Sequence, residues 1–324
     1  MSTPTDPMIV LCPGQGAQAV GMGQAWFNAS AEARAVFEEA DRLLGSRLGA
    51  PLTQLCFTGP AERLNQTDVA QPALFTCGIA CWRGMTASLG LGQGEAPVAA
   101  AAGLSLGEYT ALCVSGAMSF ADGLELVTLR GRAMQDAALA SPGGMLALIG
   151  ADEAQAREVC AAALEGHASD VLVPANFNAP GQIVLSGHKV ACDRAAEVAS
   201  KMNLRATALQ VAGAFHSPLM APAAERLRAA LASVRIAQPQ CPVISNVTER
   251  PHPPFRSVAG GTFDADIRLK LEEQLTSPVR WAGSCAYMAE TFKGVWHELA
   301  PGKTLAGLMR RIHKDTKVTA HDEP

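Results

Sequence analysis

Short, unbroken apolar runs alternate with longer stretches of helical period along most of this chain. The first run, Met8–Cys12, leads directly into Pro13-Gly-Gln-Gly-Ala-Gln18. A second, Val98-Ala-Ala-Ala-Ala-Gly103, precedes Ser105 and a helix-like stretch from Leu106 to Ala117. Apolar runs without polar alternation suit strands covered on both faces. Strand, glycine-rich turn and helix, in that order, mark an α/β body. A further helix is predicted over Phe120–Ala140, with Ser119 as its cap.

The middle of the chain reads differently. Met145–Gly150 reads as a strand and Asp152–Leu164 as a helix. Val171–Asn176 and Gln182–Ser186 read as strands joined by the turn Asn178-Ala-Pro-Gly181. Val190–Met202 reads as a helix and Arg205–Val211 as a strand. The order β-α-β-β-α-β is that of a ferredoxin-like unit. Beyond it come a helix (Ala221–Val234), a strand (Val243–Asn246), a Pro/Gly-rich loop (Arg250–Thr262) and a helix from Asp266. The strand Gly294–Leu299 and the helix Thr304–Ile312 follow. The expected organisation is an α/β body over residues 1–141 and 212–312, a ferredoxin-like small subdomain over 142–211, and a polar, frayed tail over 313–324.

Charge and composition narrow the function. The 324 residues carry 26 Lys+Arg and 30 Asp+Glu, a net charge of −4. That excludes a globally basic nucleic-acid binder. With 48% hydrophobic and 17% charged residues, the chain can bury a sizeable core and lies far from the disordered regime. No apolar stretch reaches the ~18 residues of a membrane span. Met1–Pro7 is polar and Met8–Cys12 is too short for a signal-peptide core, so a cytoplasmic location is expected. The nine cysteines are odd in number and scattered through apolar stretches. They read as small hydrophobes in a reducing compartment, with neither a disulfide framework nor a metal site.

Three features carry chemistry. Gly103-Leu-Ser-Leu-Gly107 is a G-x-S-x-G at a strand-to-helix junction, where a sharp turn lifts the Ser105 hydroxyl out of the sheet. The helix N-terminus behind it supplies backbone N–H groups, that of Leu106 among them, for an oxyanion. A serine nucleophile needs a base, and of seven histidines His216 is the best placed. It sits in Ala212-Gly-Ala-Phe-His-Ser-Pro-Leu219, at an element end where catalytic groups collect. Arg130 falls inside the apolar stripe Leu126, Leu129, Ala133 and Met134 of its helix. A guanidinium there needs a partner. The plain alternative is an internal salt bridge to Glu108 or Glu125; the functional one is a clamp for a ligand carboxylate.

A set of blocks resembles one family. They are Pro13-Gly-Gln-Gly-Ala-Gln18, Gln71-Pro-Ala-Leu74, Gly103-Leu-Ser-Leu-Gly-Glu-Tyr109, Arg130-Gly-Arg-Ala-Met-Gln135 and Asn176-Phe-Asn-Ala-Pro-Gly-Gln182. Gly213-Ala-Phe-His216, Ile244-Ser-Asn-Val-Thr248, Ser277-Pro-Val-Arg-Trp281 and Ala300-Pro-Gly-Lys303 complete them. Together, and in this order, they resemble the malonyl-CoA:acyl carrier protein transacylases. The resemblance implies an α/β-hydrolase-like large domain with an inserted ferredoxin-like subdomain. It implies Ser105 as nucleophile and His216 as base, with His216 oriented by a backbone carbonyl, that of Arg280. It implies an oxyanion hole from the N–H groups of Gln15 and Leu106, and a malonyl carboxylate held by Arg130. Gln71, Asn178 and Phe215 are expected to line the pocket, Phe215 by crowding an α-substituted acyl group.

The implied activity is ping-pong transfer of malonyl from malonyl-CoA to the phosphopantetheine thiol of acyl carrier protein, supplying fatty-acid synthesis. No cofactor or metal is expected, no nucleic acid or membrane partner, and a monomer that meets an acidic carrier transiently. Arg132 and Arg310-Arg311 are guesses for the docking face. A polyketide or malonate-decarboxylase acyltransferase remains open, because the acyl pocket does not separate carriers. A serine hydrolase and a non-catalytic carrier-docking protein are the readings from other classes; the former does not require Arg130, and the latter predicts loss of Ser105 or His216. Two departures from the family pattern are Leu104, where the family usually has His, and a longer loop over Arg250–Thr262.

Overall fold

The computed structural model describes residues 6–92, 94–253 and 262–324. Among these residues nine strands form two sheets. Five strands make the first: β1 (Met8–Cys12), β2 (Val98–Gly103), β7 (Val243–Ile244), β8 (Val295–Leu299) and β9 (Val318–His321). They are all parallel, in the order β7-β2-β1-β8-β9. β1 lies at the centre and every residue in it is buried. Its side chains alternate between two cores. Val10 and Cys12 join one apolar cluster with Phe37, Phe75 and Ala101, while Ile9 and Leu11 join another with Ala100, Ala102 and Trp281. A sheet covered on both faces explains why the strand reads as an apolar run.

The second sheet is antiparallel, in the order β4-β5-β3-β6. Its strands are β3 (Gly143–Ile149), β4 (Leu172–Ala179), β5 (Gln182–His188) and β6 (Arg205–Ala208). The helices Glu153–Leu164 and Lys189–Lys201 pack on it around their own core, with Leu148, Leu185 and Ala195. Asp152 caps the first of them: its side chain accepts from Gln155 N–H, and the Gln155 side chain accepts from Asp152 N–H. The order of elements and strands is ferredoxin-like. The fold class is thus α/β, a hydrolase-like parallel sheet with a separate small antiparallel one. β4 is tied to the large body through Val279, just before the helix Trp281–Thr291: Phe177 N–H donates to Val279 O and Val279 N–H to Ala175 O.

Three features depart from the sequence reading. Residues 318–321 are not frayed but form β9, parallel to β8 at the sheet edge. There the His321 carbonyl accepts from Trp26 Nε1–H at 2.8 Å. Asn178 lies in β4 and not in a turn, because the β4–β5 connection needs only Pro180-Gly181. The 22-residue helix Thr67–Ser88 has no sequence expectation, since it is buried on nearly every side and shows no polar face. Of the loop Arg250–Thr262, residues 254–261 lie outside the described residues.

Candidate active site

The Ser105 turn is built by contacts that admit only glycine. A Cβ on Gly103 would come within 1.8 Å of the Gly107 carbonyl carbon, and one on Gly14 within 2.2 Å of the Leu104 carbonyl oxygen. So the glycine-rich loop after β1 and the turn after β2 lie backbone to backbone. Ser105 has φ 53° and His216 φ 57°, both in the left-handed region that costs a non-glycine residue ~1–2 kcal/mol. Asn246, just after β7, holds the turn: its Oδ1 accepts from Ser105 N–H at 2.6 Å and its Nδ2 donates to Gly103 O at 2.7 Å. Sequence reasoning places Asn246 in a family block but gives it no role.

Ser105 Oγ lies 2.9 Å from His216 Nε2. His216 Nδ1 lies 2.8 Å from the Gln274 carbonyl oxygen, an acceptor only. Nδ1 therefore carries the proton, and Nε2 is the lone pair facing the serine. This corrects the expectation that the Arg280 carbonyl orients the histidine. Arg280 precedes the helix Trp281–Thr291, and its carbonyl is taken by Ser284 N–H and Ser284 Oγ–H, both at 3.0 Å. Its guanidinium lies over the Phe177 ring and reaches Glu153 and Glu249 instead. Burial, then the nearby Arg130 cation, push the His216 pKa down to about 4.

Arg130 comes from the middle of the helix Phe120–Ala140 and is 1% exposed. Nη1 donates to Gln71 Oε1 at 2.7 Å, and Nη2 donates to Gln274 Oε1 at 2.9 Å and to Ser105 Oγ at 3.1 Å. Nε has no partner among the described residues. No carboxylate there forms an ion pair with it: Glu125 pairs with Arg47 at the surface, and Glu108 bonds to other groups. The salt-bridge alternative fails, and the guanidinium is a buried cation beside a serine. Burial lowers its pKa.

These groups meet in a cleft of about 610 Å³. Ser105, Leu106, Arg130 and His216 line it, as do Gln15, Asn178 and Phe215. Leu104 adds apolar surface on the elbow side. The amides of Gln15 and Leu106 donate to no group among the described residues, while the Gln15 side chain is held by Thr67. Gln71 is not in the wall. It is fully buried behind Arg130, held through Met134 Sδ, and supports the guanidinium from outside the cleft. Gln274, which the sequence reading missed, contacts Arg130 with its side chain and His216 with its main chain. All nine cysteines are free thiols. No group of three His, Cys, Asp or Glu among the described residues could hold a metal, and no described helix is long and apolar enough to cross a membrane.

A profile described as the acyl transferase domain matches residues 9–321. The malonyl CoA-acyl carrier protein transacylase of Salmonella typhimurium is 41% identical over 315 residues, 96% of this chain and 94% of that one. A polyketide biosynthesis malonyl CoA-acyl carrier protein transacylase of Bacillus subtilis is 35% identical over 307 residues, 94% of this chain and 96% of that one. Among solved structures, the malonyl-CoA:acyl carrier protein transacylase of Xanthomonas oryzae pv. oryzae superimposes with TM-score 0.86 at 41% identity, over 98% of this chain and 95% of that one. A type II polyketide malonyl-transacylase in complex with its acyl-carrier protein gives TM-score 0.86 at 34% identity, over 98% and 96%.

Proposed function

The chain belongs to the acyl transferase domain family, and from that premise we propose that it moves malonyl from malonyl-CoA to the phosphopantetheine thiol of an acyl carrier protein. The observation that carries the choice of acyl group is Arg130: a buried guanidinium with no carboxylate partner among the described residues, 3.1 Å from the Ser105 hydroxyl. A lipase-like pocket would disfavour a carboxylate, whereas this one supplies a planar, two-pronged cation for it.

Ser105 Oγ attacks the thioester carbonyl while His216 Nε2 takes its proton. The negative oxygen faces the N–H groups of Gln15 and Leu106. Collapse breaks the C–S bond, and coenzyme A leaves as the thiol with the proton from His216. The carrier's thiol then gives its proton to His216 and attacks the malonyl-serine ester, and Ser105 is regenerated. Arg130 holds the malonyl carboxylate away from the reacting carbonyl throughout. Burial holds His216 low and the Arg130 cation adds to it; the malonyl carboxylate offsets the second of these. Phe215 beside His216 limits bulk at the α-carbon, a discrimination of ~1–3 kcal/mol per methyl. Asn178 lies in the cleft wall, where its amide would meet the bound thioester.

No metal or cofactor takes part in these steps. The enzyme acts in the cytoplasm as a monomer, and its net negative charge makes attraction for an acidic carrier a local property of the cleft mouth. Supply of fatty-acid synthesis is the preferred pathway, since transacylases named without a polyketide role reach 41% identity, against 38% and 35% for the polyketide biosynthesis proteins of Burkholderia thailandensis and Bacillus subtilis. The test is incubation with malonyl-CoA and holo-acyl carrier protein. Malonyl-carrier should accumulate; release of free malonate with no carrier product would make the protein a hydrolase.

A further inference from the structure

Behind the cleft lies a buried polar pair that the reaction above does not use. Glu108, in the first turn of the helix Gly107–Val114, and His252, in the loop after β7, meet at 2.8 Å between Oε1 and Nε2. Their side chains are 0% and 1% exposed. Glu108 Oε2 also accepts from Gln274 Nε2–H at 2.7 Å and from Asn246 N–H at 3.1 Å. Three donors on two oxygens is the arrangement of a carboxylate.

Gln274 makes the connection. Its Nε2 donates to Glu108 and to the Ser105 carbonyl oxygen, its Oε1 accepts from Arg130, and its main-chain carbonyl accepts from His216. One residue thereby fixes the guanidinium, the imidazole and the serine main chain together. Its amide also relays between two buried charges, with Arg130 on the Oε1 side and Glu108 on the Nε2 side. Were Gln274 to flip, both contacts would place like groups together, so Glu108 selects the orientation that faces Oε1 toward Arg130. His252 in turn occupies the remaining Glu108 oxygen; its Nδ1 has no partner among the described residues.

We propose that His252 and Glu108 are positioning residues that lock Gln274, and through it align His216 and Arg130 as one unit. The proposal rests on the roles given above to Ser105, His216 and Arg130. It needs no assumption about the carrier or the pathway. The coupling sets it apart from ordinary core packing: loss of the His252 donor must disturb serine reactivity and carboxylate binding together.

The test uses the full chain and a fluorophosphonate probe, which forms an O–P bond at Ser105 Oγ, expels fluoride and passes the serine proton to His216. Malonate is added as a competitor that occupies Arg130. His252→Leu fills the volume without a donor; His252→Gln restores an N–H at similar reach. Loss of a buried hydrogen bond to a charged group predicts labelling about tenfold slower in His252→Leu, with malonate protection weakened about as much. His252→Gln should stay within about threefold of the parent in both. The proposal is overturned if His252→Leu labels as fast as the parent, if only one of the two readouts moves, or if His252→Gln does no better than His252→Leu. Because labelling needs neither malonyl-CoA nor a carrier, failure here is distinct from failure to transfer malonyl.

Discussion

Arg130 Nη2 donates to Ser105 Oγ at 3.1 Å, so a buried cation touches the nucleophile itself. The contact makes acyl selection and serine activation one electrostatic problem. Replacing Arg130 with Ala should cost malonyl-CoA kcat/KM about 10²–10³-fold, the scale of a buried charge-assisted pair. Acetyl-CoA has no carboxylate to lose, and its transfer should fall far less, since burial, the larger cause of the low His216 pKa, remains while the smaller Arg130 contribution is gone. Steady-state kinetics with both thioesters decides it. An unchanged acetyl/malonyl ratio would make Arg130 structural.

The pH dependence follows from His216. The neutral ring is the base, so serine labelling in the free enzyme should be flat from neutral pH down and fall only as pH drops through about 4. The same shift bears on stability. The folded value of about 4 lies below the unfolded 6.5, so the unfolded chain binds the proton first. This contribution, about 3 kcal/mol, is complete above pH 6.5 and is lost as pH falls toward 4. His297, pushed down to about 4 by burial and by His321, acts in the same direction but is partly solvated. Urea unfolding at pH 7 and pH 5 should show the loss, and His216→Gln should reduce it, leaving the smaller part that His297 supplies.

Ser105, Arg130 and His216 are legible in the sequence because each breaks a local pattern: a polar residue between turn glycines, a cation in an apolar stripe, a histidine between Gly and Pro. Gln274 is not, because part of its role belongs to a main-chain carbonyl that every residue possesses. Its side chain looks like any polar residue at a helix end. The histidine's partner is thus misplaced by six positions, at Arg280, whose carbonyl opens a helix. Gln71 is expected in the wall only through the family resemblance of its block, but it lies behind Arg130 and outside the cleft lining. The parallel sheet is legible at β1 and β2, where both faces are buried. It is not legible at β9, an edge strand of Val-Thr-Ala-His that exposes too much polar surface to read as one.

The elbow tolerates no side chain at Gly103. Gly103→Ala would place a carbon within 1.8 Å of Gly107. The turn must open, so serine labelling should drop below detection even if the protein remains folded by circular dichroism. Labelling at the parent rate would mean that the turn is not the source of serine exposure.

The C-terminal strand should contribute to stability despite its polarity. Trp26→Phe removes the 2.8 Å bond to the His321 carbonyl while keeping most of the apolar surface. The cost should be about 1 kcal/mol in urea unfolding. Deleting residues 318–324 should cost more, since it also removes the β8–β9 ladder and the Asp322 bond to Gly302 N–H. Equal stability of parent and truncated chain would return the tail to the frayed state its composition implies.

The malonyl-serine intermediate is tested most directly by intact mass after brief exposure to malonyl-CoA without a carrier. The parent should gain the mass of one malonyl group, and Ser105→Ala should gain none. Adding holo-acyl carrier protein should then clear the adduct and load the carrier. An adduct that persists in Ser105→Ala, or one that clears only to free malonate, would contradict serine-mediated malonyl transfer.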